Sequence, residues 1–110
     1  MPTSFAAAVT TSQDLVRFLL SRVDDDETEL RKLSRGQSNE GTGLRSLDRL
    51  HAELATKRRL IGALQQLVVL RDQPAERAVR HQAGQMLRFL ALPYEWHAKY
   101  RQEWRPAGSH

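Results

Sequence analysis

The sequence predicts an all-α fold: an antiparallel three-helix core with long helices, closed by a short aromatic C-terminal tail or helix. Apolar residues recur with a period of about 3.6 residues over three long stretches. No stretch shows the sustained alternation or the hairpin turn typical of strands, and no internal repeat is present. A chain of 110 residues, 40% hydrophobic and 27% charged, is long enough for one globular domain.

The first helix is predicted over residues 12–35. Thr11, with Asp14 three residues later, has the spacing of a capping box that would open it. Apolar side chains then keep the helical period, and Gly36 can end the helix in a left-handed cap. The chain before it, residues 1–11, is predicted to be flexible.

Glycine and proline divide the rest of the chain. A Gly-rich loop is predicted over residues 36–43, a second helix over 44–72 and a third helix over 74–92. An aromatic tail is predicted over residues 93–106, and residues 107–110 are predicted to be disordered or tag-derived. Pro74 suits a first helical turn, and the third helix must end before Pro93. In the second helix Leu60 and Leu67 lie beside the main apolar face, so an isologous homodimer would cover them.

Composition excludes several chemistries. The absence of cysteine excludes disulfide scaffolds, thiolate metal sites and cysteine nucleophiles. No stretch approaches the roughly 20 apolar residues of a membrane span, and the N-terminus lacks the basic start of a signal peptide, so a cytoplasmic location is predicted. Neither a G-x-S-x-G elbow nor a glycine-rich phosphate loop is present. We therefore expect no enzymatic activity, and we assign no catalytic residue, cofactor or metal ligand.

The net charge of +4 is unevenly distributed. Residues 12–33 carry a formal charge of −2, whereas residues 44–72 and residues 74–106 each carry +3. In one interpretation the acidic first helix opposes the two basic segments within the fold or across a dimer. In the other, the basic faces of the second and third helices bind nucleic acid. The triplet Lys57, Arg58 and Arg59 fits either interpretation. If the charges meet within the fold, we expect one of the three residues to pair with the first helix.

Acidic residues cluster near the end of the first helix, at residues 24–29. Carboxylates three residues apart, such as Asp24 and Glu27, occur in all-helical magnesium-dependent hydrolases. Those enzymes need a second pair on a facing helix, where this chain offers only Asp48 and Glu53, five residues apart. A metal-dependent hydrolase is therefore the third functional hypothesis, and a solvated acidic face is preferred.

The tail, "ALPYEWHAKYRQEWRP", carries four aromatic side chains interleaved with basic ones. In a short helix Trp96, Tyr100 and Trp104 would line a single face. This face would either cover one end of the core or form a stacking platform for single-stranded nucleic acid. The candidate interaction surface combines the tail with the basic triplet: Lys57, Arg58, Arg59, Trp96, Tyr100, Arg101, Trp104 and Arg105. The predicted function is a non-catalytic interaction or regulatory module that binds a protein partner or itself, with nucleic-acid binding as the alternative.

Three blocks of the chain together resemble an uncharacterised family of small actinobacterial proteins, a domain of unknown function. The tail is similar to that family's signature, approximately A-L-P-Y-x-D-H-P-x-Y-R-x-E-W-R-P, and "DLVRFLLSRVDDDE" and "ATKRRLI" agree with two earlier blocks. Trp96 and Ala98 replace the Asp and the Pro of the signature, and the family's central Trp-containing segment is missing. The resemblance implies a mostly helical intracellular protein and supplies no activity or ligand.

Overall fold

The structure, a computed structural model, describes residues 5–36, 41–70 and 73–106, with the backbone alone for residues 41–45. It confirms the all-α prediction, since the described residues form three helices and no strand. Helix α1 covers Phe5–Gly36, α2 covers Gly41–Leu67 and α3 covers Pro74–Ala91. Two short 3-10 helices follow, over Leu92–Tyr94 and Gln102–Trp104. Within these ranges no helix has both the length and the apolar content required to cross a lipid bilayer.

Helix α1 begins at Phe5, well before the predicted start at residue 12. Alanine has the highest helix propensity, and the alanines that follow Phe5 extend the helix toward the N-terminus. Thr11 and Asp14 therefore lie inside the helix, and the predicted capping box is wrong. The remainder of the predicted flexible segment, residues 1–4, lies outside the described residues.

Helix α2 also differs from its predicted bounds. It begins at Gly41 and ends at Leu67, where residues 44–72 were expected. Val68 is buried and its N–H still bonds to the Leu64 carbonyl, but the chain turns at this point because two β-branched residues in succession weaken the helix. Parts of the predicted loop and helix, at residues 37–40 and 71–72, lie outside the described residues, as do residues 107–110.

Contacts between α1 and α2 show that the two helices run antiparallel. The Ser34 hydroxyl, near the end of α1, lies 3.3 Å from Nε2 of His51. Farther back along α1, Glu27 accepts a hydrogen bond from Arg58, which lies farther along α2. The third helix runs parallel to α1, as an up-down-up arrangement requires, because Arg80 lies over the ring of Phe5 whereas the later Gly84 lies beside Ser12.

The core lies between the three helices and is completed by the tail. The buried residues of the helices repeat at the spacing expected of inward faces: Leu15, Leu19, Val23, Ile61, Leu64, Ala83, Leu87 and Ala91. Val68, directly after α2, belongs to the same cluster. Three tail aromatics, Tyr94, Tyr100 and Trp104, belong to the same cluster. The tail therefore acts as a fourth packing element that covers a bundle of only three helices.

Candidate functional site

The tail runs back along α1 in the opposite direction. Three polar contacts, taken in order along the tail, pair Tyr94 with Asp26, His97 with Arg22, and Arg101 with Asp14. The Tyr94 hydroxyl donates to Asp26 over 2.6 Å, and the Arg101 guanidinium lies 3.1 Å from the Asp14 carboxylate. These contacts fix the tail along about three turns of α1.

Aromatic packing around Phe18 holds the tail on the core. The rings of four tail residues lie with their centroids between 5.0 and 6.4 Å from that of Phe18: Tyr94, His97, Tyr100 and Trp104. Most of these pairs are edge-to-face, an arrangement that adds to the stabilisation from burial. Tyr94, Tyr100 and Trp104 therefore cover the core, as the first interpretation of the tail expects.

Trp96 does not share their environment. It is 74% exposed, whereas Tyr100 and Trp104 are 8% and 2% exposed. The predicted common face of these three residues is wrong, because the segment forms turns between two 3-10 helices and the α-helical period does not apply. Tyr100 and Trp104 consequently cannot serve as an accessible stacking platform.

The predicted basic triplet is divided between two environments. Lys57 donates to the Tyr94 hydroxyl over 3.0 Å, and Arg58 bonds to both Asp24 and Glu27 on α1. These hydrogen bonds, the one to Asp24 above all, raise the pKa of the Arg58 guanidinium. Arg59 is exposed on the surface.

Two further members of the predicted surface, Arg101 and Arg105, are bound by carboxylates. Arg101 is exposed and pairs with Asp14, while the half-buried Arg105 lies 3.1 Å from Glu95. Of the predicted interaction surface, then, only Arg59, Trp96 and Arg101 are exposed, and the structure does not bring all its members onto one surface.

The acidic residues of α1 contact different neighbours. Each of four carboxylates has a partner in the described residues: Asp24 and Glu27 bind Arg58, Asp25 binds Arg22, and Asp26 binds Tyr94. On α2, Glu53 pairs with Arg49 on its own helix. No group of three or more His, Asp or Glu residues in the described ranges is placed to hold a metal ion.

A pocket of about 240 Å³ lies between α1 and the tail. Its lining includes four basic side chains, which sequence reasoning did not connect: Arg17, Arg22, Lys99 and Arg101. Asp14 is the one acidic residue in this lining, so the formal charge of the lining is +3. The sequence did hold a signal, because Arg22 occupies a position on the apolar face of α1, seven residues after Leu15.

Arg22 is the buried charge at this pocket. It is 8% exposed, its Nη2 lies 3.2 Å from Asp25, and its Nη1 lies 2.8 Å from Nδ1 of His97 and also contacts Nε2. Its guanidinium stacks over the ring of Phe18 at 5.1 Å. An arginine stays protonated and only donates, so this contact requires an imidazole nitrogen that accepts.

Two buried N–H groups of the pocket residues have no partner in the part of the chain that the structure describes. They are Nε of Arg22 and Nε1 of Trp104. Buried donors are nearly always hydrogen-bonded, and leaving one unpaired costs about 1–3 kcal/mol. The pocket therefore combines excess positive charge with two lining residues that each keep an unpaired buried donor.

A second surface feature lies on the opposite side of the bundle. On α2, Leu60 and Leu67 lie about 100° around the helix from the buried Ile61, on the side away from Arg58, which contacts α1. On α3, Met86 and Arg88 flank the buried Leu87 on opposite sides. Because Arg88 donates to the Glu103 carbonyl of the tail, Met86 lies away from the tail.

These positions define a surface that we call the α2–α3 face. Its members are exposed and uncharged: Thr56, Leu60, Leu67, Ala75, Val79, Gln82, Met86 and Phe89. On α2 this face covers only the second half of the helix, because the exposed Arg49 and Glu53 lie on the same side nearer its N-terminus. Within these limits the face is uncharged in a chain of which 27% is charged.

Comparison with known proteins places the chain in a family. Residues 12–106 match the model of a family of unknown function (DUF6221), which is most of the chain. The chain belongs to this family. Neither a curated protein nor a solved structure matches it.

Membership in DUF6221 confirms the predicted resemblance to a family of unknown function. The actinobacterial origin and the C-terminal signature stay predictions. The DUF6221 match extends from α1 through the tail, so it includes both the pocket and the α2–α3 face.

Proposed function

We propose that this protein is a non-catalytic helical interaction module and that it associates with a second copy of itself through the α2–α3 face. The observation that carries this proposal is the exposure of large apolar side chains on that face. Leu60, Leu67, Val79, Met86 and Phe89 are between 37% and 57% exposed. Together they leave roughly 400 Å² of apolar surface, within the range in which surface patches are commonly functional.

The charge distribution favours a second copy as the occupant. A face without charge cannot select an acidic or a basic partner, whereas it is complementary to another apolar face. Copies of a chain with net charge +4 repel each other, and an uncharged face lets two of them meet without placing like charges in contact. An isologous contact would also cover the α2 and α3 rows of both copies at once.

Light scattering or sedimentation equilibrium tests this proposal. We expect a dimer to form as the protein concentration is raised to hundreds of micromolar. Leu60→Glu and Met86→Glu should each shift the equilibrium to monomer without loss of helix content. The matched control is Leu33→Glu, since Leu33 is 57% exposed on α1, away from this face. A wild-type monomer over the whole concentration range would refute self-association.

Nucleic-acid binding is a second candidate, favoured by one groove of about 720 Å³ between the start of α1 and α3. Its lining includes Arg77, Arg80, His81 and Arg88. Two of these guanidinium groups already make contacts within the fold, because Arg80 lies over the Phe5 ring and Arg88 donates to the Glu103 carbonyl of the tail.

Fluorescence anisotropy with duplex DNA tests the second candidate. Three arginine–phosphate contacts would give a log–log salt dependence with a slope near −3, roughly −0.9 for each phosphate neutralised. Sub-micromolar binding at physiological salt, weakened by Arg77→Gln but not by Arg49→Gln, would support it. Binding that disappears at physiological salt would exclude it.

A further inference from the structure

We propose that the pocket between α1 and the tail binds the phosphate group of a small molecule. The inference rests on three observations that concern the same few residues: the charge of the lining, its buried unpaired donors, and the size of the pocket. It is independent of the α2–α3 face, which lies on the other side of the bundle.

The charge of the pocket suits an anion. Arg17, Arg22, Lys99 and Arg101 oppose a single carboxylate, that of Asp14, within the lining. Asp14 lies 3.1 Å from Arg101 and 3.6 Å from Arg17, so it neutralises at most part of their charge. Among the described residues the Lys99 ammonium has no ion pair. Two carboxylates outside the lining also pair with these residues, Asp25 with Arg22 at 3.2 Å and Glu103 with Arg101 at 3.6 Å, so the four basic groups keep a net charge of +1. Lys99 and the exposed Arg17 supply most of the charge left for a phosphate monoester, which carries close to two negative charges at neutral pH.

The buried donors indicate a ligand with acceptor oxygens. Trp104 is 2% exposed and Arg22 is 8% exposed, and both line the pocket. Each keeps an N–H, Nε1 in Trp104 and Nε in Arg22, for which the described residues provide no acceptor. Both nitrogens are closed to solvent, so binding has to shift the two side chains before the oxygens of a phosphate, which are strong acceptors, can reach them.

The size of the pocket limits the ligand. A volume of about 240 Å³ is below the 300–1,000 Å³ typical of sites for drug-sized molecules. The aromatic rings of Phe18 and Trp104 form part of its lining. A phosphate with a few further heavy atoms fits these limits, and inorganic phosphate is the simplest member of this class.

The two tryptophans provide a test with an internal control. Trp104 lines the pocket, whereas Trp96 is 74% exposed and does not. We would titrate ¹⁵N-labelled full-length protein with sodium phosphate at constant ionic strength, with sodium chloride as the balancing salt, and follow both indole N–H resonances. Saturable movement of the Trp104 resonance alone, together with a higher melting temperature, would support the site. Equal movement of both resonances, or of neither, would overturn it.

Exposed residues at the pocket rim allow variants that should not disturb folding. Lys99→Gln and Arg17→Gln should each weaken phosphate binding about three- to fivefold, the range expected for loss of one exposed ionic contact. Lys32→Gln is the matched control, since Lys32 is an exposed lysine on α1 outside the pocket lining. Unchanged affinity in both rim variants would refute the assignment.

Glycerol phosphate in a parallel titration distinguishes the source of the phosphate. Tighter binding than that of inorganic phosphate would indicate an organic phosphate ester, and equal binding would indicate the free ion. Either result supports a phosphate site. The absence of saturation with both ligands at millimolar concentration would refute it.

Discussion

Replacing Trp104 by alanine should destabilise the protein far more than replacing Trp96, although both tryptophans belong to the same short tail. Trp104 is 2% exposed, and its ring lies 5.0 Å from Phe18 and 5.8 Å from Tyr100. Truncating a buried Trp to Ala typically costs 3–5 kcal/mol, and each aromatic pair contributes about 0.5–1.5 kcal/mol beyond its burial. We therefore expect Trp104→Ala to lower the free energy of unfolding by about 4 kcal/mol.

That loss is large for a protein of this size. A domain of this kind has a total stability of about 5–15 kcal/mol, and 1 kcal/mol corresponds to a shift of about 4 °C in the melting temperature. Trp104→Ala should thus melt roughly 15 °C below the wild type. Trp96, at 74% exposure, touches only the ring of His97 among the described aromatic residues, so Trp96→Ala should change the stability by no more than about 0.5 kcal/mol.

Urea unfolding followed by far-ultraviolet circular dichroism measures both variants without depending on tryptophan fluorescence. Trp104→Phe is a useful intermediate, since it keeps an aromatic ring in the core and should recover part of the loss. If Trp104→Ala and Trp96→Ala lowered the stability equally, or if Trp104→Ala cost less than about 1 kcal/mol, the tail would not be a packing element and this reasoning would fail.

Three further outcomes follow from the same contacts. Truncation after Leu92 removes all three buried tail aromatics, so it should destabilise more than any single tail variant and abolish cooperative thermal unfolding; an unchanged melting temperature would contradict this. Burial, and for Tyr94 also its hydrogen bond to Asp26, raises the pKa of Tyr94 and Tyr100 above the ordinary 10.0. The two tyrosines lose their protons at lower pH in the unfolded chain than in the folded protein, so their contribution to stability should hold below pH 10.0 and fall as the pH rises above it. The melting temperature measured against pH checks this, and in Tyr94→Phe its fall above pH 10.0 should be smaller. Arg58→Gln should cost about 0.5–1 kcal/mol in chemical denaturation and less at high salt, while Arg59→Gln should be neutral; equal costs would argue against the contact with α1.

The helices could be predicted because their causes are local. The spacing of Leu15, Leu19 and Val23 is recorded directly in the sequence, and the same holds for Ile61 and Leu64 on α2 and for Ala83 and Leu87 on α3. Proline limits the third helix in a similar way, since Pro74 opens it and it ends at Ala91, shortly before Pro93. Helix ends were less predictable, as at Phe5 and Leu67, because they depend on small differences in propensity between neighbouring residues.

The candidate sites were predicted only in part. An apolar row on α2 outside the main face was expected, and Leu60 and Leu67 are exposed there. The helical period alone places Val79 and Met86 inward with Leu87, and this prediction is wrong. Both are exposed beside Phe89 on the α2–α3 face, because their burial depends on how the two helices pack. The pocket was missed for the same reason, since its two sides come from opposite ends of the chain.

By itself the sequence determined the all-α class, many of the inward positions of the helices and the aromatic character of the tail, since periodicity and composition act over a few residues. Only the tertiary structure decided that Trp104 is buried while Trp96 is exposed, and that Arg22 meets His97, 75 residues away. The physical reason is that such contacts depend on where the tail crosses α1. That path is set by the joint packing of Phe18 with the tail rings, and no local pattern in the sequence records it.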